Sequence, residues 1–138
     1  MSVINMQTIR YINLLDQESR VKTRKCFVYN NTIIFAVPEN QISKAIGPNA
    51  LNVKKVQEKL GKRIRIIKEA AGAGDASRFV EDIVEPIKFK SLEIKDNEMM
   101  ISAGSMQNKA SLLGRNKRRY EEIKQIVSDT FNLELKII

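Results

Sequence analysis

Two short segments join a glycine to neighbouring cations. One is Ile46-Gly47-Pro48-Asn49-Ala50, flanked by Lys44, Lys54 and Lys55; the other is Leu113-Gly114-Arg115-Asn116-Lys117, followed at once by Arg118 and Arg119. A glycine at a break between helices lets the backbone approach a sugar-phosphate chain closely, and the helix that follows offers N–H groups and its positive dipole end to phosphate. The chemistry is that of holding a polyanionic strand, not of breaking a bond. Other chemistries lack their reagents. With no histidine and one cysteine, Cys26, the sequence excludes a Ser-His-Asp triad, a Cys-His dyad, a conventional structural zinc site and a disulfide framework. Glu81, Asp82 and Glu85 fall along one expected helix with no partner motif for acid–base work. The chain is expected to be no enzyme and to need no cofactor, metal or small-molecule substrate.

The charge agrees with a polyanionic partner. Across 138 residues, 24 Lys and Arg stand against 16 Asp and Glu, a net charge of +8, the electrostatic footprint of a nucleic-acid binder. Residues 1–70 hold 13 basic and 5 acidic side chains and residues 71–138 hold 11 of each, so the whole excess sits in the first half. A generally basic, solvated surface is the plainer explanation, and net charge alone does not decide between the two. The longest apolar run, Ile33 to Val37, is far too short to span a membrane, and Met1 to Tyr11 has no signal-peptide block. The expectation is a cytoplasmic monomer with no membrane association.

The elements that position the two glycine breaks can be read from apolar periodicity and turn residues. Met6, Ile9, Ile12 and Leu15 suggest a helix over about 6–18 with one apolar stripe. Lys25 to Tyr29 and Thr32 to Val37 read as strands around Asn30-Asn31, a pair that tolerates positive φ. After Pro38, Ile42, Ala45 and Ile46 mark a short helix that breaks at Gly47-Pro48, Val53, Val56 and Leu60 line a second helix capped by Gly61, and Arg63 to Lys68 closes as a strand. Small residues between Ala70 and Ser77 read as a linker, placed at 71–75 between a unit at 1–70 and a unit at 76–138. The order then restarts: a helix with Phe79, Val80, Ile83 and Val84, strands Ser91 to Lys95 and Met99 to Ser102 around Asp96-Asn97-Glu98, a helix with Met106, Ala110 and Leu113 breaking at Gly114, a helix with Tyr120, Ile123, Val127 and Phe131, and a strand Leu133 to Ile138. The break glycines stand 67 positions apart, so the chain reads as a tandem duplication.

This order of elements, with a glycine break between two helices in each half, resembles two KH domains of the prokaryotic topology. Together with the Ser77-Arg78-Phe79-Val80 to Glu85-Pro86 segment opening the second unit, it is similar to archaeal NusA-like transcription factors. The resemblance implies an α+β fold of two type II KH units, each with helices on a three-stranded sheet. It further implies single-stranded RNA as ligand, transcription elongation or termination as the setting, and RNA polymerase as partner. In KH domains the GXXG loop clamps a four-nucleotide segment beside a groove. By that resemblance Ile42, Ile46 and Val53 line the first groove and Leu113 the second, with Lys44, Gly47, Pro48, Asn49, Ala50, Lys54, Lys55, Lys109, Gly114, Arg115, Asn116, Lys117, Arg118 and Arg119 around them. The fourth loop position departs from the pattern, being Ala50 in one loop and Lys117 in the other. If it requires positive φ, each costs about 1 kcal/mol; if it is the first turn of a helix, both fit.

Two other readings compete. Gln41, Ala45, Gly47 and Val53 also fit a helix-turn-helix that would enter the DNA major groove, although such a motif normally sits in a helical bundle and these helices are bracketed by strands. Alternatively the chain is a scaffold docking on RNA polymerase or the ribosome with vestigial loops. Gly47 alone would be a plain helix-to-helix turn, Arg115 to Arg119 could be a solvated face answered by Glu121 and Glu122, Tyr120 is expected to pack, and Cys26 is expected to be a buried thiol in a strand.

Overall fold

Asn5 opens the first helix by accepting the Thr8 N–H on its side-chain oxygen at 2.8 Å, and α1 runs Met6–Ser19. In this computed structural model, which describes residues 5–138, the described chain divides into a first unit, 5–69, and a second, 70–138. The first unit continues with β1 (Lys25–Tyr29), β2 (Thr32–Val37), α2 (Ile42–Ile46), α3 (Leu51–Leu60) and β3 (Arg63–Lys68). The second holds α4 (Ala76–Val84), β4 (Ser91–Lys95), β5 (Glu98–Ser102), α5 (Met106–Leu113), α6 (Arg118–Phe131) and β6 (Glu134–Ile137). The same order of helix, hairpin, helix pair and closing strand is built twice, and the fold is α+β, consistent with two tandem KH-like units.

Each sheet has its hairpin's second strand at the centre. β1 pairs antiparallel with β2 and β2 parallel with β3, with Phe35 opposite Cys26 on one side and Ile66 on the other. In the second unit β4 pairs antiparallel with β5 and β5 parallel with β6. The hairpins close with two residues at positive φ, Asn30 and Asn31 at 50° and 59°, and Asp96 and Asn97 at 52° and 63°. Asn and Asp reach that region at the lowest cost among residues other than glycine, and such turns match the twist of the flanking strands. Glu98, expected in the turn, pairs with Lys95 inside the ladder, because a two-residue turn leaves no third loop position.

The first core gathers Tyr11 and Leu15 from α1, Ile33, Phe35 and Val37 from β2, Ala45, Val56 and Ile64, all buried. The second unit buries Phe79, Ile83, Met99, Ile101, Leu112, Ile123 and Val127, and Phe79 meets Phe131 edge-on with ring centroids 5.7 Å apart. Two expected stripes are corrected. On α1, Met6 is 84% exposed and Ile9 43%, whereas Tyr11, Leu15 and Ser19 face inward. A three-residue step falls about 60° short of a turn, so a row from Met6 to Leu15 winds about half-way round the helix. On α5, Met106 and Ala110 are exposed and Leu112 carries the burial. In the segment expected as a linker, Ala73–Asp75 forms a single 3-10 turn and Ala71 donates its N–H to Asp75 Oδ2 at 2.8 Å, with Ala70 and Ala76 buried on either side.

Candidate nucleic-acid interface

The two helix breaks have one backbone geometry. Gly47 and Gly114 have φ of 79° and 73° with ψ of 167° and 174°, a region that only glycine occupies readily. The third and fourth residues are both left-handed: Asn49 at φ 55° and Ala50 at 58°, Asn116 at 56° and Lys117 at 57°. Each turn closes on itself, Ala50 donating its N–H to Gly47 O at 3.1 Å and Lys117 to Gly114 O at 3.2 Å. Asparagine in the third place fits, since its short side chain tolerates this conformation. The fourth place is therefore a positive-φ position and not a helical one. Ala50 and Lys117 each carry a conformational cost of about 1 kcal/mol there.

Why glycine comes first is a matter of packing within each unit. A Cβ on Gly47 would lie 2.8 Å from Asn52 Nδ2 and 3.1 Å from the Asn52 backbone nitrogen. Asn52 Nδ2 in turn donates to Lys44 O at 3.0 Å, tying the first turn of α3 to the last turn of α2. A Cβ on Gly114 would lie 2.4 Å from Arg119 Cγ and 3.0 Å from the Arg119 nitrogen. The side chain five residues on folds over each glycine. Nothing in the sequence marks Asn52 beyond its match with Arg119 at the 67-residue offset.

Around this shared backbone the chemistry differs. In the first unit Ile42 and Val53 are half-buried against the core and Ile46 is half-buried beside Gly47, while Pro48 and Asn49 are exposed and uncharged. Lys44, Lys54 and Lys55 are exposed near the turn. Farther along α3, Lys59 Nζ bonds Glu18 Oε1 at 2.5 Å, and that bond, aided by the charge of Lys55, holds the Glu18 carboxyl below the usual range. In the second unit Lys109 and Leu113 are half-buried, and Arg115, Lys117 and Arg118 are exposed. Arg119 packs over Gly114 and pairs with Glu122, so its guanidinium is already engaged. Arg115, Asn116, Arg118, Arg119 and Glu121 line a hollow of about 470 Å³. Tyr120 packs as expected, half-buried with its hydroxyl donating to Leu135 O at 3.0 Å.

Neither helix pair sits in a helical bundle. α2 and α3 lie between β2 and β3, which pair in parallel, so they belong to the sheet-based unit and lack the setting a helix-turn-helix needs. Cys26 packs half-buried against the first core, where burial pushes its thiol up to about 12. Among the described residues no group of three or more His, Cys, Asp or Glu could hold a metal ion, and no helix is long and apolar enough to cross a membrane.

No family model matches the chain. It is similar to a probable transcription termination protein NusA of Halococcus morrhuae, 23% identical over 128 residues that cover 91% of this chain and 90% of that protein. Proteins with the same description from Methanocaldococcus jannaschii and Methanococcus vannielii are 27% and 28% identical over 92 residues, covering 67% of this chain and 49% and 51% of theirs. The match thus spans about half the length of those two relatives. Among solved structures, the crystal structure of APE1850 superposes with a TM-score of 0.67 at 25% identity, covering 98% of this chain and all of that one. Along most of its length the chain is thus similar to archaeal proteins described as probable NusA, and its doubled α+β fold matches a solved structure over nearly its whole extent.

Proposed function

We propose that the chain binds single-stranded RNA at its two glycine turns and acts without catalysis as a transcription elongation or termination factor, with RNA polymerase as its protein partner. The observation that carries this reading is the repetition of one costly turn. A connection between helices needs no residue other than glycine at positive φ, yet both units place an asparagine and a further non-glycine residue there, each time beside half-buried apolar side chains and exposed cations. Cations and helix N-termini attract the sugar-phosphate path. The apolar surface of Ile42, Ile46 and Val53, or of Leu113 with the stem of Lys109, gives unstacked bases a place to lie. The transcriptional role is supported by the NusA description of the archaeal relatives.

A titration of the full chain with labelled single-stranded RNA, single-stranded DNA and duplex DNA, at low and physiological salt, tests the proposal. Single-stranded RNA should bind tightest, and its affinity should fall as salt rises, since a single strand releases about 0.7 counterions per phosphate contact. A preference for duplex DNA would favour the helix-turn-helix reading, and no binding to any of the three would favour a scaffold with vestigial loops.

A further inference from the structure

We propose that the hollow between α1 and β1 of the first unit is a docking site for an acidic, partly apolar segment of a protein partner. The inference goes beyond RNA binding and stands whether or not that reading holds. It starts from residues 19–24, which join the two elements. Ser19 Oγ donates to Leu15 O at 2.7 Å and accepts the Val21 N–H at 3.1 Å, Val21 is buried, and Thr23 Oγ1 donates to Ala36 O at 2.6 Å. The alternate positions are Arg20, Lys22 and Arg24, all exposed and none in an ion pair among the described residues. Anchoring every second residue holds these cations in a row, each within about 7 Å of chain from the next, so less freedom is lost when they meet a ligand. Lys22 and Arg24 line a hollow of about 620 Å³ whose apolar part is Ile12 and Pro38. Ile12, Asn13 and Asp16 face it from α1, and Ile9, 43% exposed, shares their side of the helix at i, i+3, i+4 and i+7. The isoleucine that the core leaves out therefore extends the apolar lining.

This lining suits a peptide better than a nucleic acid. It holds no aromatic side chain on which a base could stack. The end of α1 beside it is the negative, C-terminal one. Two carboxylates would repel a continuous phosphate chain: Glu69, which engages Lys25 at 3.7 Å, and Asp16, half-buried and in no ion pair among the described residues. A peptide brings carboxylates for the cations, an aliphatic side chain for Ile9, Ile12 and Pro38, and N–H groups for Asp16. At the 66-residue offset between the two hairpin turns, Asp16 and Lys22 match Asp82 and Lys88, which line a hollow of about 410 Å³ in the second unit. Glu81 and Glu85 make that one acidic, so the basic hollow belongs to the first unit and is not imposed by the fold.

Amide NMR spectra of the full chain test this with three probes: a short peptide alternating glutamate with other residues and carrying one leucine, the same peptide with glutamine for glutamate, and a short oligouridylate. The acidic peptide should shift the amides of Asn13, Lys22 and Arg24 saturably, and the glutamine peptide should not. Lys22→Gln/Arg24→Gln should weaken peptide binding about tenfold and Ile9→Ser about threefold. Lys124→Gln, at an exposed α6 position, should leave it unchanged. No saturable shift up to about 1 mM acidic peptide, equal binding of the glutamine peptide, or an equal loss in Lys124→Gln overturns the proposal. So does a shift of these amides by the oligouridylate with faster RNA release from the Lys22/Arg24 variant, which would put the hollow on the RNA path. RNA binding at the turns is followed separately at the Gly47 and Gly114 amides, so its failure and that of peptide docking are distinguished.

Discussion

Replacing Gly114 or Gly47 with alanine should destabilise the protein far more than replacing Gly61, although all three glycines have positive φ. Gly61 lies in the left-handed region at φ 66° and ψ 26°, and a Cβ there would meet nothing within 4 Å. Alanine at that position costs about 1 kcal/mol of conformational strain, offset by about 0.4–1 kcal/mol because the unfolded chain also loses freedom. The net change is small. Gly114 and Gly47 are different on two counts. Their ψ values of 174° and 167° put them in a region open essentially to glycine alone, worth about 1–3 kcal/mol of strain. The added Cβ would also sit 2.4 Å from Arg119 Cγ in one case and 2.8 Å from Asn52 Nδ2 in the other, with backbone nitrogen at 3.0 and 3.1 Å behind them. Side chains can yield, but the backbone of α6 or α3 cannot move without opening the turn, so overpacking adds about 1–3 kcal/mol.

The sum, less the unfolded-state offset, is about 2–5 kcal/mol for each turn glycine. For units of fewer than 70 residues, 1 kcal/mol shifts Tm by about 4–8 °C, so a fall of about 10 °C or more is expected. Thermal melts of the three variants followed by circular dichroism decide the matter. If Gly114→Ala and Gly47→Ala melt where Gly61→Ala does, the packing account of these glycines is wrong. The same reasoning governs how RNA data on such variants must be read. Weaker RNA binding by Gly114→Ala does not report a phosphate contact unless folding is first shown to be intact.

Two further outcomes follow from the same geometry. Ala50→Gly relieves about 1 kcal/mol of left-handed strain and gives back about 0.4–1 kcal/mol as unfolded-state freedom, for a net gain of no more than about 0.6 kcal/mol; a denaturant midpoint clearly below that of the unmodified protein would contradict the positive φ at this position. Burial favours the neutral Cys26 thiol, raising it from 9.0 to about 12, so its contribution to stability is full below pH 9 and is lost as the pH rises from there towards 12, where only the unfolded chain releases the proton. A thiol reagent at mildly alkaline pH should therefore label the denatured protein much faster than the folded one, and equal rates would place Cys26 in water.

What could be read from the sequence was whatever a residue type fixes locally. Asn30-Asn31 announces a two-residue hairpin because few other residues accept positive φ, Asp96-Asn97 marks the second turn for the same reason although Glu98 reads as part of it, and the apolar runs beside them set strands whose limits differ from the structure by a residue at most. The glycine breaks were legible for the same reason, and their doubling gave the architecture. Helix facing was not. Met6, Ile9 and Met106 are apolar residues on exposed faces, and which face a short helix buries depends on what it packs against, which local spacing does not specify. The fourth turn position was undecidable because Ala and Lys carry no preference for the left-handed region. Likewise, the closeness of Asn52 to Gly47 arises from the angle at which α3 leaves the turn, a property of the folded unit and not of the four residues between them.

The placement of charge separates two roles that net charge alone confuses. Residues 1–70 carry the whole excess of +8, which suggests that the first unit dominates binding. Matching the units at the 67-residue offset gives a different ranking. Pro48 and Ala50 correspond to Arg115 and Lys117, whereas Lys54 and Lys55 correspond to Glu121 and Glu122. The first unit thus has its cations on the helix after a neutral turn, with Lys55 acting on Glu18 as well; the second has them in the turn, with carboxylates on the helix behind. At physiological salt an exposed charge more than about 8 Å from a phosphate is largely screened. Once a strand is seated, contact charges count and distant ones do not, so the turn cations of the second unit should govern how slowly RNA leaves. Before contact the summed field matters, and the spread excess of the first unit should raise the encounter rate. On this division, neutralising exposed lysines of the first unit away from its turn lowers the association rate and steepens nothing in dissociation, while neutralising Arg115 or Arg118 speeds dissociation. Stopped-flow association and displacement kinetics read the two rates separately, and a first-unit lysine variant whose entire affinity loss lies in the dissociation rate would show that those cations touch the bound strand after all.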